Sequence, residues 1–128
     1  MSCCPDKPSF VFEGEPASTM ILLAHGAGAN MDSEFMQAMS AGLVAKGYQV
    51  MRFNFPYMQA NAVDGKRRPP DRAPKLLACF TQMLDIAHSQ PKVERVVLMG
   101  KSMGGRMAAL LACDPALAAH IDRVICLG

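Results

Sequence analysis

The chain has 128 residues, 51% of them apolar, and a net charge of +2. That suits one domain with an ample buried core. So small a charge gives nucleic acid no purchase by itself, and no apolar run is long enough to span a bilayer. The start, MSCCPDKPSF, has neither the basic head nor the apolar stretch of a signal peptide. The five cysteines lack CxxC spacing and read as reduced thiols of a cytoplasmic protein. Cys3-Cys4 reads as a solvated pair, since no third or fourth ligand lies nearby; no metal is expected.

In chain order, residues 1–18 form an N-terminal segment in which SFVFEGE reads as an edge strand, and residues 19–128 form the main domain. TMILLAH (Thr19–His25) is too short for a helix and reads as a buried strand. Phe35, Met36, Met39, Leu43 and Val44 fall on one helical face, with Asp32 or Ser33 as cap and Gly47 as stop. YQVMRFNF (Tyr48–Phe55) alternates apolar with polar residues, as a second strand would. Pro56–Lys75, PYMQANAVDGKRRPPDRAPK, reads as a long charged loop. Leu76, Leu77, Phe80, Met83, Leu84 and Ala87 mark a second helix, ERVVLMG a third buried strand, and Gly104 to about Ala112 a third helix broken at Asp114-Pro115. DRVICLG is the last strand. Such alternation implies an α/β fold, a parallel sheet with helices on both faces. Ligands of such a sheet bind where its strands end. That edge collects His25-Gly26-Ala27-Gly28, the Pro56–Lys75 loop and Ser102.

Two glycine-rich turns lie there. Gly100-Lys101-Ser102 ends like a phosphate-binding loop, but the position needing the loop's first glycine is Arg95, inside a strand. HGAGANM offers Gly26 and Gly28 for a dinucleotide turn, but the third glycine position is Met31 and the next strand lacks an acid for a ribose. A turn that merely needs positive φ is the plainer reading of those glycines. No cofactor is expected. Gly100-Lys101-Ser102-Met103-Gly104, between RVVLM and RMAALL, fits the sharp strand-to-helix bend that presents a nucleophilic serine. Glycines flank such a bend because strand and helix nearly touch. Acyl transfer also needs two N–H donors aimed at the oxyanion. The Met103 amide and, across the edge, the Ala27 amide are the candidates. Ser102, Met103 and Ala27 are therefore the expected catalytic set. His25, Gly26, Gly28 and Lys101 border it as candidate substrate contacts, and Lys101 would favour an anionic substrate unless it is simply a strand-end side chain.

ILLAHGAGANMDSEFM, VMRFNFPYMQ, GKRRPP and VVLMGKSMGGRMA together resemble the α/β-hydrolases. The likeness is to their dienelactone-hydrolase-like branch, and closer to a group that includes a testis-expressed hydrolase-like protein and a subunit of a nonspecific-lethal histone acetyltransferase complex. The resemblance covers Thr19 to Gly128. It implies the N-terminal part of such a fold, truncated at its C-terminus, and a serine hydrolase acting on a small ester, lactone or amide. It also implies that the catalytic acid and histidine would follow later strands. True dienelactone hydrolases carry cysteine where this chain has Ser102.

Of the three histidines, His88 and His120 precede strands and belong to the edge opposite Ser102, roughly 20 Å away at about 3.3 Å per strand residue. Only His25 shares the edge. A makeshift Ser102–His25–Asp64 set, with Asp32 and Asp71 as other acids, competes with His25 bracing the oxyanion loop. Lys66, Arg67, Arg68, Arg72 and Lys75 face only Asp64 and Asp71, as an anion-steering lip or as a solvated loop. The 128 residues are thus expected to be inactive alone. The alternative is a non-catalytic scaffold that binds partners. RVICLG would leave an unpaired apolar edge open to self-association.

Overall fold

The computed structural model describes residues 9–128, so the Cys3-Cys4 pair lies outside the described residues. One five-stranded sheet carries the chain: β1 (Phe10–Glu13), β2 (Thr19–Ala24), β3 (Gln49–Phe53), β4 (Arg95–Lys101) and β5 (Arg123–Leu127). The spatial order is β1-β3-β2-β4-β5. β2 to β5 run parallel, while β1 pairs antiparallel with β3 through Phe10↔Phe53 to Glu13↔Val50. The sheet is therefore mixed, and the SFVFEGE stretch joins it at one edge. β5 forms the other edge, with Ile125 and Cys126 exposed.

Helices cover both faces. α1 (Glu34–Ala45) packs on one face, where Met36 meets Ile21, Leu23, Val50 and Met99. α3 (Ala73–His88) and α4 (Met103–Ala112) cover the other, over Met20, Leu22, Met51, Phe53 and Leu98. Phe53, Phe55 and Phe80 close this larger core at centroid separations of 5.1 to 5.9 Å, Phe55 meeting the other two edge to face and Phe53 tilted against Phe80. Each such pair adds about 1 kcal/mol beyond area burial. Ser33 caps α1, its Oγ accepting from the Met36 amide at 3.3 Å, and Gly47 follows the helix at φ +95°. Phe35, expected in the core stripe, is 41% exposed. Asp114 caps a further short helix, α5 (Pro115–Ala118), so the Asp-Pro break is also a restart.

One expectation needs correcting. The Pro56–Lys75 stretch is not all loop: α2 (Pro56–Asp64) fills its first half, and α3 starts at Ala73. Proline at the first helical position starts a helix as readily as it breaks one, because the amide it lacks would be unpaired there. Gly65, left-handed at φ +71°, ends α2. The stripe was hard to see because its buried residues, Pro56, Tyr57 and Met58, are consecutive. The strand read from YQVMRFNF is β3. All five residues of β3 are buried, polar ones included. Arg52 tolerates this because its guanidinium reaches Glu13 Oε1 at 2.6 Å, Asp32 Oδ1 at 3.0 Å and the Met31 carbonyl at 2.5 Å. The Arg52 and Ser40 hydrogen bonds hold the Glu13 carboxyl below its ordinary range.

Among the described residues no helix is long and apolar enough to cross a membrane, and no group of three His, Cys, Asp or Glu side chains could hold a metal ion.

Candidate active site

The strand order creates the site. The chain steps from β2 outward to β3, then crosses back over β2 to β4. The loops after β2 and β4 therefore diverge and leave a crevice at the strand ends. The register Ala24↔Gly100 sets His25-Gly26 beside Lys101-Ser102. A Cβ on Gly26 would lie 3.2 Å from the Lys101 carbonyl and 3.7 Å from Ser102 Cβ, so this glycine gives clearance between the loops. Gly28 has open space around it. Among the described glycines positive φ occurs at 14, 47, 65 and 128, so neither Gly26 nor Gly28 is there for left-handed backbone, contrary to the plain reading of HGAG.

Ser102 sits at φ +52°, ψ −110°, a conformation that costs a non-glycine residue about 1–3 kcal/mol. Its neighbours leave it no alternative. A Cβ on Gly104 would meet the His25 carbonyl oxygen at 2.5 Å, and one on Gly105 the Gly100 carbonyl oxygen at 2.8 Å. The Ser102 amide donates to the Leu127 carbonyl at 2.8 Å, and its carbonyl accepts from the Arg106 amide at 3.1 Å. The side chain stays exposed. Replacing Ser102 with glycine should release the strain and raise stability by about 1 kcal/mol. Serine-to-alanine should not, and urea unfolding of the two variants checks this; a less stable S102G would contradict it.

Ser102 and Ala27 line one cavity of about 290 Å³, together with His25, Gly26, Lys101 and Phe35. Met103 opens α4, so its amide has no acceptor within the helix. Neither that amide nor the Ala27 amide donates to any acceptor among the described residues. Lys101 Nζ lies 5.1 Å from the centre of the Phe35 ring, which places a cation at the cavity wall.

His25 shares the edge but turns inward, fully buried. Its Nε2 accepts from the Phe55 amide at 3.0 Å, which fixes the tautomer, and Nδ1 donates to the Gly26 carbonyl at 2.6 Å. Burial pushes its pKa down to about 4, against the upward pull of the Gly26 carbonyl. Both ring nitrogens are engaged and the ring is neutral at pH 7, so it cannot take a proton from Ser102. The acids are engaged too. Asp64 holds Arg68 through both oxygens, at 2.9 and 2.5 Å, and accepts from the Lys66 amide; the Arg68 bond first of all pulls its pKa down to about 2. Asp71 accepts from the Tyr57 amide and pairs with Lys75 at 3.6 Å, and Asp32 pairs with Arg52. The makeshift Ser102–His25–Asp64 set is not formed. His88 and His120, exposed at the opposite edge, meet each other: His88 Nε2 lies 2.8 Å from the His120 carbonyl and the rings are 5.5 Å apart.

Three residues that hold the oxyanion-loop candidate were not singled out from the sequence. Tyr57 Oη donates to the Ala27 carbonyl at 3.0 Å and lies 3.3 Å from that of Gly26. Burial, with the Asp71 charge, pushes its pKa up to about 12, so it stays a donor. Asn54 Oδ1 accepts from the Met31 amide at 2.8 Å, and Arg52 binds the Met31 carbonyl. All lie in RFNFPY, where polar residues interrupting a buried run were the available signal.

A family model described as an alpha/beta hydrolase domain matches residues 17–128. The chain belongs to the α/β-hydrolase family. No curated protein matches it. Solved α/β-hydrolase structures share its fold at low identity. Dienelactone hydrolase from Anabaena variabilis superposes with a TM-score of 0.80 at 19% identity, covering 98% of this chain and 59% of that one. Est1E from Butyrivibrio proteoclasticus, with ferulic acid bound, gives 0.74 at 18%, covering 94% and 49%. A lidless serine hydrolase from Xanthomonas campestris gives 0.68 at 18%, covering 87% and 53%. The chain thus spans about half the length of these α/β-hydrolases.

Proposed function

We propose that the chain carries the nucleophile half of a serine hydrolase that cleaves a small ester, lactone or amide through an acyl-enzyme. Ser102 Oγ attacks the acyl carbon, and the Ala27 and Met103 amides stabilise the oxyanion. The strained, exposed backbone of Ser102 beside the Ala27 loop is the observation that carries this reading. His25 serves as a brace, its ring tying the loop's first carbonyl to the start of α2. Gly26 keeps the two loops close, and Lys101 stands at the cavity wall. No described residue offers Ser102 a free imidazole, so these 128 residues by themselves are expected to give little or no turnover.

A fluorophosphonate probe applied to the longest natural chain containing these residues tests it. Labelling is expected, and Ser102→Ala should abolish it and lower ester turnover by roughly 10⁴-fold or more. Labelling that survives the substitution, or none in the unmodified chain, sinks the assignment; the latter outcome would support a non-catalytic scaffold.

A further inference from the structure

We propose that Tyr57 is a positioning residue for the oxyanion donor: together with His25 it holds the Gly26 carbonyl inward and so aims the Ala27 N–H into the Ser102 cavity. The catalytic consequence rests on the hydrolase reading above; the aim of the amide does not.

Gly26, Ala27 and Gly28 make no backbone-to-backbone hydrogen bond among the described residues, so side chains hold this loop. Two do so, and both are buried. His25 Nδ1 donates to the Gly26 carbonyl at 2.6 Å. Tyr57 Oη donates to the Ala27 carbonyl at 3.0 Å and lies 3.3 Å from the Gly26 carbonyl oxygen. A peptide unit is planar and trans, so its N–H points opposite to its C=O. The Gly26 carbonyl and the Ala27 N–H belong to one such unit. With the carbonyl drawn toward the core, the N–H turns out toward the cavity that Ala27 and Ser102 line. It donates to no acceptor among the described residues, which leaves it for a developing oxyanion. The same side chain touches the second donor's residue, since Tyr57 Oη lies 4.0 Å from Met103 Sδ. Tyr57 is itself fixed. It sits in the first turn of α2, its amide donates to Asp71 Oδ2 at 2.9 Å, and its ring meets the His25 ring edge to face at 5.8 Å. Phenylalanine there would keep the packing and lose only the grip on the loop.

The test compares the longest natural chain containing these residues with its Tyr57→Phe variant, and thermal unfolding checks that both fold. With p-nitrophenyl butyrate, Tyr57→Phe should lower kcat about thirtyfold and change KM by about twofold or less, because the oxyanion exists only once attack has begun. Affinity for an aliphatic trifluoromethyl ketone, whose serine adduct carries that oxyanion, should fall by a similar factor. A residue that only stabilised the fold would move the melting temperature and neither of these. Orientation is read separately, from the ¹H–¹⁵N residual dipolar coupling of Ala27. In the unmodified chain it should fit an N–H directed into the cavity, and in Tyr57→Phe it should change while the couplings of β2 stay. A coupling that fits an N–H directed into the core overturns the proposal whether or not the variant folds. So does a coupling or a kcat that Tyr57→Phe leaves unchanged. Fluorophosphonate labelling of Ser102 with an unchanged kcat in the variant sinks this clamp and leaves the hydrolase reading intact. No labelling in the unmodified chain sinks that reading instead, and the dipolar coupling then decides the clamp.

Discussion

Replacing Gly100 with alanine is expected to prevent stable folding, or to cost more than about 4 kcal/mol. A Cβ there would lie 2.2 Å from Gly104 C and Gly105 N, and 2.5 Å from the Gly104 carbonyl oxygen. All three are backbone atoms, so no rotamer change can relieve the overlap. β4 would have to separate from α4, and that junction organises both the larger core and the bend at Ser102. Domains are stable by only about 5–15 kcal/mol, so a loss of this size is close to the whole. Gly28→Ala is the matched control. Its added methyl meets nothing within 4 Å and its φ is not positive, so a change under about 1 kcal/mol is expected. Urea unfolding of the two variants decides the matter. Matching midpoints would mean that the strand and helix do not approach as closely as described.

Acid should weaken the fold well above the range in which carboxylates titrate, and His25 should be the cause. In the folded chain this imidazole stays neutral down to about pH 4, whereas a free histidine protonates near 6.5. Between those values the unfolded chain binds a proton that the folded chain refuses, so stability rises with pH across the window and falls as pH drops through it. The full gap is worth up to about 3 kcal/mol. Glu13 acts lower: its carboxyl, held down by Arg52 and Ser40, loses stabilisation only as pH falls below about 4.5. Denaturant unfolding at pH 7.5 and 5 should therefore show a marked drop. In His25→Gln that drop should largely vanish, since an amide can accept from Phe55 and donate to Gly26 without titrating. A slope unchanged by the substitution would assign the acid sensitivity to another group.

Much of this architecture was legible from local pattern. TMILLAH and ERVVLMG are apolar runs too short for helices, and both are buried strands. Leu76, Phe80, Met83, Leu84 and Ala87 repeat at helical spacing and form the buried face of α3. Where local pattern failed, a distant partner had changed the rule. β3 alternates apolar with polar residues and is nonetheless buried throughout, because Glu13 from β1 and Asp32 from the loop neutralise Arg52 in the interior. α2 looked like loop because its burial comes from Tyr57 and Met58 docking into the core, and a short helix held that way needs no continuous stripe.

Residue order alone was enough for the bend at Ser102. The clash that demands glycine at 100 and 104 arises within five positions of chain, or against the strand next door, and a spacing of glycines about one serine encodes it. What becomes of His25, Arg52 and Tyr57 could not be encoded so locally. His25 meets the Phe55 amide 30 positions away, Arg52 meets Glu13 across 39, and Tyr57 reaches Ala27 across 30. A histidine near a serine is a base or a brace according to what occupies its two nitrogens. Only the packing of β2 against β3, which brings Phe55 over the ring, makes it a brace.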